Sequence, residues 1–262
     1  MKVTLLTSNN NRHNYLVNLL SECCDELFVI QECATIFPGV IPGHYLASET
    51  MKNYFEKVND AQLNLFGNSY VNTTSKNVKI LPMLMGDLNN CSLKSISDFL
   101  KSDIYVVFGS SYIKGDLIDF LVKQRALNIH MGVSPYYRGT DCNFWALYDN
   151  NPHLVGATIH MLSKGLDSGP MLYHAMSKLK TDPYEYTMST VKAAFHSIAE
   201  KIKDKTIFEI EPMMQEKSKE VRYSKKIEFN EKIVNEYFNM NIDLNSKPFN
   251  NLLLKEPFFL NI

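Results

Sequence analysis

Between Lys79 and His130 the chain alternates short apolar runs with segments of helical period, and few architectures accommodate that alternation. Lys79 to Met85 predicts a strand, Leu93 to Leu100 a helix, Ile104 to Phe108 a strand, Gly115 to Lys123 a helix and Ala126 to His130 a strand. Strands joined by helical crossovers lie parallel in one sheet, with the helices covering its faces. Upstream, Val3 to Leu6 predicts a buried strand, Tyr15, Leu16, Leu19 and Leu20 recur at helical spacing, and Leu27 to Ile30 predicts a second strand. Residues 31–75 interrupt the pattern: Pro38, Gly39, Pro42 and Gly43 break regular elements ahead of a helix over Met51 to Phe66. The expected fold class is therefore α/β and Rossmann-like, a mostly parallel sheet flanked by helices.

Past His130 the sequence predicts a helix at Asn143 to Tyr148 and a strand at Leu154 to Met161. Met171 to Ser177 is placed to pair with that strand as a hairpin. Thr187 to Lys203 carries Met188, Val191, Ala194, Phe195, Ile198 and Ile202 on one stripe and predicts a strong helix. The main domain is expected to span 1–203. Residues 204–262 interleave charges with short apolar clusters and read as a short C-terminal extension packed on it.

Composition narrows the compartment and the partners. A formal net charge of -1 supplies no basic footprint, so no nucleic-acid partner is expected. The five cysteines include no C-x-x-C pair, which fits free thiols in a reducing cytoplasm and no metal site. Met1 to Thr7 holds too short an apolar run for a signal peptide, and no stretch approaches the roughly 20 apolar residues that span a bilayer. A cytoplasmic protein without a membrane partner is expected.

Two segments carry the chemistry: Asn128-Ile129-His130 with its continuation to Gly139, and Gly165-Leu166-Asp167-Ser168-Gly169-Pro170. Asn128 and His130 are two apart, so on a strand both point to one face. Asp167 follows the strand that would lie beside them and is placed to meet the imidazole. An amide, an imidazole and a carboxylate at strand ends are the parts of an acyl-transfer site.

The ordered set of N-x-H, Pro135-Tyr136-Tyr137-Arg138-Gly139, Phe144-Trp145-Ala146, Val155 to Met161 and Leu166 to Pro170 resembles the formyltransferases that use 10-formyltetrahydrofolate. Arg222-Tyr223-Ser224-Lys225-Lys226-Ile227 resembles a further segment of that family. The resemblance implies that Asn128, His130 and Asp167 are catalytic. Asn128 would aim its amide N–H at the oxyanion. His130 would donate to the same oxygen or take the ammonium proton, and Asp167 would orient His130. It also implies that folate is the cosubstrate, seated by Phe108, Gly109, Tyr112, Ile113, Leu166 and Gly169. Acceptor contacts fall to Asn9, Arg12 and His13, where a helix N-terminus suits a phosphate, and to Tyr136 and Arg138. Phe144 and Trp145, which stand near the acceptor segment, read as core, and His160 reads as a structural histidine. One departure stands out: the family's usual H-x-S is His130-Met131-Gly132 here.

Methionyl-tRNA enzymes of the family carry a sizeable C-terminal domain and basic surface, and glycinamide ribonucleotide enzymes keep a Gly-rich loop where this chain has Asn-Asn-Asn-Arg-His. The expected acceptor is therefore the amine of a nucleotide-activated amino sugar for a surface glycan, pseudaminic-type nonulosonic acids included. Glycinamide ribonucleotide or another small amine, a hydrolase releasing formate and a binding domain without catalysis are the alternatives. A homodimer stays open.

Overall fold

A computed structural model of the protein describes residues 1–33, 48–71, 75–244 and 255–260. Strands β1 (Lys2–Ser8), β2 (Glu26–Cys33), β3 (Val78–Leu84), β4 (Ile104–Phe108), β5 (Leu127–His130), β7 (Ala157–Met161), β8 (Met171–Ser177) and β10 (Phe258–Leu260) form one eight-stranded sheet in the order β10-β8-β7-β5-β4-β1-β2-β3. Strands β6 (Tyr137–Gly139) and β9 (Arg222–Ser224) form a separate parallel ribbon. Within the large sheet only β7 runs against its neighbours.

The central strands are buried on both faces, so their side chains divide into two cores by the period of two. Val3, Leu5, Val29 and Val106 face a core shared with helices α1 (Asn11–Ser21), α2 (Glu49–Phe66), α4 (Cys142–Tyr148) and α5 (Pro183–Lys203). Leu6, Ile30, Tyr105 and Val107 face the other, beneath α3 (Gly115–Lys123). Polar residues inside β1 are satisfied: the Thr4 and Thr7 hydroxyls donate to the carbonyls of Phe99 and Phe108 at 2.6 and 2.8 Å.

Some boundaries differ from expectation for local reasons. The helix expected at Leu93 to Leu100 is replaced by short 3₁₀ turns at Asp87–Asn90 and Ser97–Phe99. Serines compete with the helical ladder there, Ser95 bonding both the hydroxyl and the carbonyl of Ser92. The strand expected from Leu154 begins only at Ala157. Pro152–Leu154 forms a 3₁₀ turn, and a Cβ on Gly156 would lie 2.4 Å from the Met176 sulfur. Helix α5 starts four residues before the expected Thr187, where Asp182 caps Glu185 N and Pro183 opens the first turn. The breakers Pro38, Gly39, Pro42 and Gly43 lie outside the described residues.

Beyond α5 the chain folds back on the core. Phe229, Val234 and Tyr237 are buried, the last two on α6 (Glu231–Phe238), and the ring of Phe229 lies 5.3 Å from that of Tyr54 on α2. β10 then adds a parallel edge strand beside β8.

Candidate active site

The sheet order reverses around β1 and β4, and a crevice opens beyond the carboxyl ends of strands at such a point. A cavity of about 550 Å³ lies there. Its walls come from the first turn of α1, the loop after β4, the end of β5, the N-terminal side of α4, the turn after β7, and α2 and α5.

Antiparallel pairing of β5 with β7 sets Asn128 opposite His160 and His130 opposite Thr158, so the four side chains share one face. Asp167 enters from the β7–β8 turn with φ at 46°, and its Oδ1 is the focus of the group. His130 Nδ1 lies 3.4 Å from that oxygen and His160 Nε2 3.7 Å, while the Asn128 amide donates to it at 3.4 Å. His160 Nδ1 donates to the Met161 carbonyl at 2.8 Å, so its Nε2 accepts the other Asn128 N–H at 3.1 Å. His130 Nε2 likewise donates to the Tyr137 carbonyl at 3.1 Å, which leaves the lone pair of the neutral ring on Nδ1, beside Asp167.

Burial pushes the His130 pKa below its usual value, and the Asp167 charge opposes that only in part. Burial also pushes Asp167 upward, but positive charge taken up by His130 or His160, together with the Gly139 backbone N–H, outweighs it and holds the carboxyl below the carboxylate norm. The pair at neutral pH is a neutral imidazole facing a carboxylate, ready to become an imidazolium held between Asp167 and the Tyr137 carbonyl. Both Asn128 N–H groups are engaged, contrary to a freely presented donor. The long contact to Asp167 is the one that can yield to an incoming oxygen.

Of the residues expected at the folate side, Phe108, Gly109, Tyr112, Ile113 and Leu166 line the cavity. Gly109 has φ 65°, and a Cβ there would lie 2.4 Å from His13 Nε2, so only glycine lets the loop cross that ring. The Tyr112 hydroxyl donates to the Lys164 carbonyl at 2.9 Å, joining the loop to the turn that carries Asp167. Gly169, expected on the folate side, does not line the cavity, and a Cβ would fall 1.7 Å from the Met161 carbonyl, so it closes the hairpin.

On the acceptor side Arg12 and His13 line the cavity, while Asn9, Tyr136 and Arg138 do not. Asn9 offers its carbonyl to Asn14, and the Tyr136 carbonyl takes the backbone N–H groups of Val221 and Arg222. Arg138 is turned toward the protein, donating to the carbonyls of Leu166 and Asp167 and to Glu220. His160, read as structural, is a fourth member of the polar group. Trp145 is buried as expected, and Phe144 is buried yet borders the cavity.

Other contributors carried no signal in the sequence. Tyr54, Phe55 and Val58 of α2 also line the cavity. The fully buried Glu32 accepts from Ser111 N at 2.6 Å, Ser111 Oγ at 2.8 Å and Gly86 N at 2.9 Å, pinning the loop after β4. Gln215 donates to the carbonyls of Asp167 and Gly169, both at 2.8 Å. Among the described residues no group of three His, Cys, Asp or Glu side chains is arranged to hold a metal, and no helix is long and apolar enough to cross a membrane.

Fold and site together define an open α/β protein with an amide, two imidazoles and a carboxylate gathered at a strand switch point. The family model described as formyl transferase matches residues 93–207, a span that contains Asn128, His130 and Asp167. The methionyl-tRNA formyltransferase of Thermosynechococcus vestitus is 31% identical over 90 residues, 34% of this chain. The chain thus matches only about a quarter, 27%, of that relative's length. Among solved structures, a 4-N formyltransferase from Francisella tularensis is similar with a TM-score of 0.53 and 16% identity, over 87% of this chain and 77% of that one. The N-formyltransferase from Helicobacter canadensis, in complex with folinic acid and dTDP-3-aminofucose, gives 0.52 and 12%, over 95% and 77%. At such identities the likeness establishes a shared fold.

Proposed function

We propose that the protein is an enzyme that transfers the formyl group of 10-formyltetrahydrofolate to the amine of a nucleotide-activated amino sugar. The observation that carries this is the meeting of Asn128, His130 and Asp167 at the floor of a cavity, with Asp167 Oδ1 3.4 Å from both partners. When an amine attacks a formyl carbon, negative charge grows on the oxygen and positive charge on the nitrogen. Asn128 serves the first by giving up its long bond to Asp167. His130 serves the second, taking the proton at Nδ1 and forming an imidazolium beside Asp167; as the tetrahedral intermediate collapses the bond from the formyl carbon to N10 breaks, and the proton passes to N10 of the departing tetrahydrofolate.

The cavity suits both substrates. On one side the loop 108–113 offers backbone groups beside the apolar walls of Ile113, Ile118, Leu162 and Leu166, a lining fit for a flat, polar-edged pterin that delivers the formyl carbon. On the other side Tyr54, Phe55, Phe144 and Phe229 present aromatic faces beside Arg12, a combination suited to the C–H face of a sugar and an anionic diphosphate. The Helicobacter canadensis protein, of the same fold, binds folinic acid and dTDP-3-aminofucose, in keeping with this reading. A net charge of -1 favours small acceptors over tRNA, and pseudaminic-type sugars for a surface glycan belong to the class.

Purified protein given 10-formyltetrahydrofolate and a panel of amino-sugar nucleotides, glycinamide ribonucleotide or no amine tests it, with formylated product read by mass. A gain of one formyl group on an amino-sugar nucleotide is expected. Formate release without amine, or formylation only of another amine, defeats the sugar reading.

A further inference from the structure

We propose that the segment from Met213 to Ser224, outside the cavity, is the positioning element of the site, and that Gln215 is the residue that holds Asp167 in its working conformation. The inference rests on the transfer reaction proposed above and adds a part to it.

Asp167 has φ at 46°, a left-handed conformation that side chains other than glycine rarely adopt unless their surroundings impose it. The surroundings do so through its carbonyl. Gln215 Nε2 donates to the carbonyls of Asp167 and Gly169, both at 2.8 Å, clamping the turn across its two ends. Arg138 adds Nε to the Asp167 carbonyl at 3.2 Å and Nη2 to that of Leu166 at 2.9 Å. The guanidinium is itself fixed by Glu220 at 3.0 Å and lies 5.6 Å from the centre of the Tyr223 ring. Gln215, Glu220 and Tyr223 all come from the one segment.

That segment is anchored independently of the turn. Met213 and Met171 exchange backbone hydrogen bonds, both at 2.8 Å, beside the start of β8. Arg222 grips Asp149 with two bonds of 2.8 and 2.6 Å and stacks 4.3 Å from the Trp145 ring centre. From the Arg222 anchor onward β9 pairs with β6, the strand whose Tyr137 carbonyl accepts from His130 and whose Gly139 N–H supports the Asp167 carboxylate. One ribbon therefore sets both halves of the His130–Asp167 pair. Gln215, Glu220 and Tyr223 do not line the cavity, so they act through Asp167 and not on substrate.

The charged and titratable groups that face His130 are Asp167 from the β7–β8 turn, His160 from β7 and Arg138 from β6. Of these groups only Asp167 raises the His130 pKa, alongside the hydrogen bond to the Tyr137 carbonyl, so a turn loosened at Asp167 lowers it. The test is an NMR titration of His130, assigned with His130→Gln, in wild type, Gln215→Ala and Glu220→Gln, together with steady-state kinetics. Gln215→Ala is expected to lower the His130 pKa by about half a unit or more. Its kcat should fall about tenfold, with KM for folate and acceptor within about twofold of wild type. A folded Gln215→Ala with unmoved titration and kcat, whatever its melting temperature, overturns the proposal. Should Gln215→Ala fail to fold, Glu220→Gln decides alone, a downward shift supporting and an unmoved titration overturning it. The titration needs no turnover, so an inactive wild type defeats the transfer reading and still leaves the positioning role to be read.

Discussion

At Gly132 a Cβ would stand 2.6 Å from both His130 Nε2 and the Cys142 Cβ, and 3.1 Å from the Tyr137 carbonyl oxygen. This is where the chain differs from the H-x-S of the formyltransferases that the sequence resembles, and the difference has a steric reason: the space is taken by the hydrogen bond that fixes the His130 ring. Gly132→Ala should therefore displace the imidazole and lower kcat by at least about tenfold while folate affinity changes little, as kinetics and equilibrium binding will show. A kcat within twofold of wild type contradicts the role given to that bond. Removing the groups outright is harsher: His130→Ala and Asp167→Asn should each cut turnover by at least about a hundredfold with folate binding retained. The pH profile follows from the sign of the shift. Burial lowers the His130 pKa, so the neutral ring that the proposed transfer needs persists into mild acid, and kcat should fall only as the pH drops below the ordinary imidazole value of 6.5. A wild-type acid limb at or above that value would mean that another group takes the proton.

At the scale of elements, the loop after β4 depends on a carboxylate from β2. Glu32 is buried with all its charge spent on Ser111 and Gly86, and it bridges 79 residues of sequence to reach the loop. Glu32→Gln replaces one acceptor oxygen by a donor facing other donors. Its expected signature is a KM for 10-formyltetrahydrofolate raised about tenfold with kcat much less affected, and an unchanged KM would show that the loop holds its shape without Glu32. Such a residue is hard to find in a sequence, because its partners are set by how β2, β3 and β4 come together and not by spacing. The same holds for Gln215, 48 residues from Asp167. By contrast β4, β5, β8 and α3 are legible, since their apolar periods are local and their burial follows from them. Asn128 and His130 are legible too, being two apart on a strand, and Asp167 enters through its glycine-flanked turn. Arg138 misleads because its neighbours in sequence lie near the site while its side chain is bound to the carbonyls behind Asp167. The role of His160 becomes visible only with the register that sets it opposite Asn128.

For the molecule as a whole, the same burial that keeps the site's imidazole neutral makes the fold sensitive to acid. His13, His130 and His174 are all buried, and burial is the leading cause that lowers the pKa of each. For His13, with the Arg12 charge adding to the effect, the value is lowered to about 3. An unfolded chain returns these rings to about 6.5, so between the lowered values and 6.5 the unfolded state binds more protons than the native one and stability rises with pH. His13 alone should then withdraw about 2 kcal/mol of stability as the pH falls from about 7 to about 5. Urea midpoints measured across that range should decline steadily in the wild type and less steeply in His13→Gln, which carries no group to protonate there. Equal slopes in the two proteins would mean that the native His13 ring takes up its proton over the same pH range as in the unfolded chain, and the Arg12 side of the cavity would then become more cationic in mild acid than its burial allows.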